Sequence, residues 1–163
     1  MMAHTTIRPA TPDDVPLILA FIRELAEYEK LAHEVRATEA QLHATLFVPH
    51  PVAEVVIAEH HGVPAGFAVF FANYSTWEGR PGLYLEDLFV RPEARGKGIG
   101  RHVLEYLARL TLKRGWARLE WRVLDWNEPS IAFYKKLGAE PLDDWTVFRV
   151  TGDALENLAA TKN

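Results

Sequence analysis

The stretch from Leu88 to Arg101 constrains the fold more than any other. It reads Leu88-Phe89-Val90-Arg91-Pro92-Glu93-Ala94-Arg95-Gly96-Lys97-Gly98-Ile99-Gly100-Arg101. An apolar run, Leu83 to Val90, enters a loop with glycines at 96, 98 and 100. The loop opens a helix marked by Ile99, Val103, Leu107 and Leu110. Glycines let the backbone approach a ligand without Cβ atoms in the way. Free N–H groups at the helix start, aided by the helix dipole, then face an anion. Arg95, Lys97 and Arg101 add positive charge, and the whole suits a pyrophosphate. Glycine-rich strand-to-helix turns also occur for packing alone. The P-loop pattern is absent. The dinucleotide fingerprint fails at its third glycine, which falls on Arg101 counted from Gly96 and on Val103 counted from Gly98. Glu120 does sit at a distance suited to a ribose contact, so that alternative stays open.

The rest of the chain supplies elements around this loop. Thr6 to Pro9 reads as a first strand. Thr11-Pro12-Asp13-Asp14 is a helix start, with Thr11 as cap and Asp14 three residues on. Val15, Ile18, Ile22 and Leu25 carry that helix to near Lys30. Thr38 with Gln41 is a second capping box, for a helix through Leu46. Val52–Glu59 and Val63–Phe71 read as strands joined at a His60-His61-Gly62 hairpin tip. Leu119 to Leu124 is a further strand. Asn127 caps a short helix to Leu137, with Gly138 just past its end. Trp145 to Val150 reads as a last strand and Gly152 to Ala160 as a terminal helix. The predicted order is β-α-α-β-β-β-α-β-α-β, an α/β (α+β) pattern, and 163 residues fit one domain, residues 1–163.

Composition excludes several classes. The net charge of −4 leaves no basic surface of the kind nucleic acid or an anionic membrane selects. There are no cysteines, so a disulfide, a thiolate metal site and a Cys nucleophile are all ruled out. The seven histidines show no ligand spacing, and no metal site is expected. No apolar run reaches membrane-spanning length. Met1-Met2-Ala3-His4-Thr5 lacks the pattern of a secretory signal, so the expected compartment is the cytoplasm.

Arg95-x-x-Gly98-x-Gly100 after a strand resembles the acetyl-CoA loop of the GNAT acetyltransferases. Tyr84-Leu85-Glu86-Asp87-Leu88-Phe89-Val90 and Trp126-Asn127-Glu128-Pro129-Ser130-Ile131-Ala132-Phe133-Tyr134-Lys135 are similar to the diamine (spermidine/spermine) branch, which includes thialysine acetyltransferases. Three motifs in order are far more specific than any one. The resemblance implies a GNAT fold, a mixed central sheet with flanking helices. It implies acetyl-CoA as cosubstrate, a small-molecule amine as acceptor, and a homodimer with the Trp145–Val150 strand at or across the interface.

Acetyl transfer needs a proton acceptor for the amine, donors for the carbonyl oxygen and a proton for the leaving thiolate. Glu86 and Asp87 are adjacent acids in an apolar strand, so alternation sends them to opposite faces. Burial would raise their pKa and make a base; a rim acid in a salt bridge is an equal alternative. The resemblance implies Glu86 as base, acting through water. Tyr134, beside aliphatic neighbours, reads more readily as core than as catalyst, but in the resembling family the tyrosine here protonates the thiolate. The resemblance also implies acetyl-CoA contacts at Leu88, Phe89, Val90, Arg95, Gly96, Lys97, Gly98, Ile99, Gly100, Arg101, Asn127, Glu128, Pro129 and Ser130. Tyr28 and Glu29 match the family's substrate-contacting pair, joined by Glu86, Asp87 and Asp144. Trp77 and Trp145 could complete an aromatic and acidic wall for a cation. The hairpin at His60-His61-Gly62 is shorter than in the animal enzymes, and a few residues are missing before Trp145. Both differences fall where substrate would be gripped. Two other readings remain: acetylation of another amine (an antibiotic, an aminoalkyl compound, a peptide N-terminus), and a non-catalytic acyl-CoA sensor. A sensor would need only the loop, not Glu86 and Tyr134 as well.

Overall fold

The structure is a computed structural model that describes residues 4–160. The described residues divide into two compact units, 4–124 and 125–160. The first unit carries a five-stranded sheet in the order β1-β2-β3-β4-β5. Its strands are β1 (Thr5–Pro9), β2 (Glu54–His60), β3 (Val63–Ser75), β4 (Arg80–Val90) and β5 (Leu119–Trp121). The first four pair antiparallel, and β5 joins β4 in parallel. The helices of this unit are α1 (Val15–Tyr28), α2 (Glu39–Leu46) and α3 (Ile99–Lys113).

Local chemistry explains the boundaries. Thr11 N–H donates to Asp14 Oδ2 at 2.7 Å, and Arg8 holds the same carboxylate at 2.8 and 3.0 Å, which ties β1 to the entry of α1. The Thr38–Gln41 capping box forms in both directions, at 3.0 and 3.2 Å. His61 and Gly62 take left-handed φ values of 52° and 76°, as a two-residue hairpin requires.

The sheet buries both faces. One carries a cluster of Ile18, Phe21, Val55, Ile57, Phe67 and Phe89, with Leu25, Leu42 and Val69 packed against it from α1, α2 and the sheet. Helix α3 packs against the sheet through buried Ile99, Val103, Leu104 and Leu107. Gly66 lets β3 and β4 approach closely: a Cβ there would lie 2.3 Å from the carbonyl oxygen of Phe89.

The second unit holds α4 (Glu128–Lys136) and α5 (Gly152–Ala160). Asn127 caps α4 by accepting from Ser130 N–H at 3.4 Å, and Gly138 follows its end at φ 89°. Two expectations are corrected. Residues 145–150 form no strand, and among the described residues no ladder includes them. Alternating hydrophobicity marks a segment that could pair, but a strand exists only where a neighbour takes up its N–H and C=O groups. The strand expected over Leu119–Leu124 stops at Trp121, because its partner β4 changes register just beyond Leu85.

Candidate active site

The decisive feature of β4 is a bulge. Val69 pairs with Asp87 and the next residue of β3, Phe70, pairs with Leu85, so Glu86 has no partner on β3. Directly paired residues share a face. Leu83 and Leu85 therefore lie on the face of Ala72 and Phe70, whereas Asp87 and Phe89 lie with Val69 and Phe67, in the cluster under α1. Strict alternation would have put Leu85, Asp87 and Phe89 together and sent Glu86 to the opposite face from Asp87. The extra residue breaks that rule, and both acids reach one cluster.

The cluster gathers from three elements. Tyr28 and Glu29 come from the C-terminal end of α1, Tyr84, Glu86 and Asp87 from β4, and Glu120 and Arg122 from β5 and the residue after it. Burial, then the charges of Glu86 and Glu29, push the Asp87 carboxyl up to about 6, against a smaller opposing pull from Arg122. Burial also raises Glu29, again opposed by Arg122. The Tyr84 hydroxyl is raised by burial and by Glu86 and Glu120, and its ring lies 5.3 Å from that of Phe71. Glu86 is exposed, and one of its oxygens lies 3.5 Å from Arg122 Nη2. The partly buried Asp87 thus sits where its neutral form is favoured.

The expected loop residues meet next to this cluster. Leu88, Phe89 and Val90 end β4, and the ladder with β5 covers only Leu83 to Leu85. Gly96 and Gly98 both sit at φ 78°, where side chains other than glycine are strained, and a Cβ on Gly96 would meet nothing within 4 Å. Ile99 is buried as the first residue of α3, with Gly100 behind it. This open cradle at a 15-residue helix N-terminus fits a pyrophosphate. Arg95 donates to the Val90 carbonyl at 3.0 Å and lies 4.8 Å over the Tyr28 ring, so it links the loop to the end of α1. Arg101 is held by Glu105 at 2.8 Å. Lys97 lines a cavity of about 180 Å³ with His60, Pro64 and Arg91.

The remaining expected residues lie in the second unit. Glu128, Pro129 and Ser130 make the first turn of α4, after buried Asn127. Tyr134 is half-buried on the same helix, its ring 5.7 Å from that of Phe133. Asp144 is exposed in a turn, beside exposed Trp145. Trp77 is exposed. It sits in the turn before Arg80, and six strand residues, roughly 20 Å, separate that end of β4 from Glu86. Glu120, the ribose candidate of the dinucleotide reading, is engaged by Asn73 and Arg118, each at 3.2 Å. Sequence reasoning missed Arg122 and Tyr84. A charged residue inside the apolar run Leu119–Leu124 was the available signal for Arg122.

Among the described residues, no group of three or more His, Asp or Glu is arranged to hold a metal ion. None of their helices is long and apolar enough to cross a membrane.

Comparison with known proteins bears on this arrangement. The acetyltransferase (GNAT) family matches residues 18–139. The thialysine N-epsilon-acetyltransferase of Bos taurus is 40% identical over 97% of this chain and 99% of its own length. The L-ornithine N5-acetyltransferase of Arabidopsis thaliana is 34% identical over 93% of this chain and 86% of its own length. Among solved structures, an integron cassette protein of V. cholerae superposes with a TM-score of 0.80 at 27% identity, covering 99% of this chain and all of the other. An aminoglycoside acetyltransferase from a soil metagenome superposes at 0.76 with 16% identity, covering 92% of this chain and 97% of its own, a likeness of fold.

Proposed function

The chain belongs to the GNAT family and is an N-acetyltransferase, and from that premise we propose that it moves the acetyl group of acetyl-CoA onto the primary amine of a small polyamine, diamine or thialysine-like molecule. The observation that carries the acceptor class is the cluster of Glu29, Glu86 and Asp87 beside the end of β4. Three acids in a partly desolvated site favour a cationic amine over a neutral one.

Acetyl-CoA supplies the activated acetyl thioester. The backbone from Gly96 to Gly100 receives its pyrophosphate, with Arg95, Lys97 and Arg101 adding charge. Asn127 to Ser130 add contacts along it, and N–H groups of Leu88 to Val90 face the acetyl oxygen. Glu86, exposed at the end of the ladder, draws in the ammonium and passes its proton through water. Asp87, with a pKa near 6, is the carboxyl on which that proton can rest near neutral pH. Tyr28, Glu29 and Asp144 hold the rest of the amine, and Tyr134 protonates the departing thiolate. The enzyme works in the cytoplasm as a homodimer. Exposed Trp145, Val147 and Phe148 are the side chains that a second copy would cover. Light scattering at micromolar concentration should give twice the chain mass, and a monomer mass would reject the dimer.

The test is a panel of amines with acetyl-CoA, read by release of free thiol. The proposal requires turnover of at least one polyamine, diamine or amino-acid side-chain amine. Tight acetyl-CoA binding with no turnover of any of them would reject this acceptor class.

A further inference from the structure

Arg122 stands where a site for a plain polyamine has no use for a cation. The parallel ladder of β4 with β5 ends at Leu85 and Trp121, so Glu86 and Arg122 are the next residue on each strand. Their side chains meet at 3.5 Å through one guanidinium nitrogen, and the Arg122 side chain is half exposed. Glu120 pairs with Tyr84, and Arg122, just past the end of β5, is near enough to Tyr84, Asp87 and Glu29 for its charge to act on all three. The guanidinium thus sits among the acids that would receive the amine.

That arrangement has two signs of charge. A diamine or polyamine gains from the acids and is repelled by Arg122. An amino acid with a side-chain amine satisfies both, because its ammonium meets the acids while its carboxylate meets the guanidinium. A guanidinium has five donors in a planar fork, matched to a carboxylate. The long single contact to Glu86 engages one nitrogen and leaves that fork available.

We infer that Arg122 is a specificity-determining residue that binds the carboxylate of an amino-acid acceptor and so favours amino acids over the diamines made from them by loss of that carboxylate. The inference rests on the acetyltransferase reading above. Acceptors that differ only in this group, lysine against cadaverine and ornithine against putrescine, isolate its contribution.

The experiment measures kcat and KM for both pairs with the parent, Arg122→Gln and Arg122→Lys. The parent should prefer the amino acid of each pair. Arg122→Gln should raise KM for the amino acid by about 10- to 100-fold, the usual range for a hydrogen-bonded charge pair. Its KM for the diamine should stay level or fall, because a repulsive charge has gone. Arg122→Lys should recover part of the amino-acid KM. A change in Asp87 basicity on losing Arg122 would alter kcat for both members of a pair equally, so the ratio of KM values is the readout. Equal KM changes for both members, or a parent that prefers the diamine, overturns the inference while the acetyltransferase reading stands. No turnover of any of the four acceptors by the parent rejects the acceptor class, and the inference falls with it.

Discussion

Asp87 pairs with Val69 on the α1 face of the sheet, while Glu86, its immediate neighbour, pairs with nothing on β3 and reaches Arg122 at 3.5 Å. One extra residue in β4 therefore gives two consecutive acids different environments. The partly buried one is driven up to about 6, and the exposed one faces solvent and a guanidinium. A single strand end can then offer both a partly desolvated carboxyl and an exposed one.

Asp87→Asn should reveal this difference as a function of pH. The carboxyl rises from an ordinary 3.8 to about 6 on folding, so the native state holds the proton more tightly than the unfolded chain. Its contribution to stability is fully present below pH 4 and is lost as pH rises through 6. Two units correspond to about 3 kcal/mol. The variant should melt above the parent at pH 8, and the gap should close by pH 4. In kcat/KM, the limb near pH 6 should vanish with Asp87. A limb that survives in the variant assigns the titration to another group.

Gly98→Asp should abolish acetyl-CoA binding and leave the fold intact. The position sits at φ 78°, and its nearest neighbour to an added Cβ is His102 at 4.0 Å, so the cost is backbone strain and a like charge facing phosphate. Calorimetric titration checks binding, and thermal melting checks the fold. Parent-like affinity in a folded variant removes the loop from the site.

Gly66→Ala should act on the same strand end from behind. A methyl group 2.3 Å from the Phe89 carbonyl cannot be accommodated, and Val90 Cα, at 3.2 Å, blocks the alternative. The strands must separate, at a cost of roughly 1–3 kcal/mol. Urea denaturation should show the loss. Acetyl-CoA affinity should fall as well, since Phe89 and Val90 would be displaced. Parent-like stability would mean that β4 moves freely at this point.

Tyr134→Phe keeps the ring and removes the hydroxyl proposed to protonate the thiolate. A lost general acid lowers the rate by ~10²–10⁴-fold. Acetyl-CoA affinity should change little. An unaltered kcat on a verified acceptor, with chemistry rate-limiting, takes Tyr134 out of the mechanism.

The sequence by itself determined the local parts. The Asp14 carboxylate on the Thr11 N–H, the capping box at Thr38, the His61-Gly62 turn, the helix start at Ile99 and the Asn127 cap all depend on neighbours a few residues away, and each forms. Tertiary structure decided the rest. The bulge at Glu86 is a relation between β3 and β4, and no pattern in β4 alone announces it. It set which acid faces the cluster under α1, where β5 stops and how Arg122 comes to sit among the acids. Residues 145–150 have a strand's alternation without a ladder, because pairing needs a second strand that their own sequence does not contain. A pKa likewise follows from burial and from charges brought near by folding, so the rise at Asp87 appears only once β3, α1 and the neighbouring acids are in place.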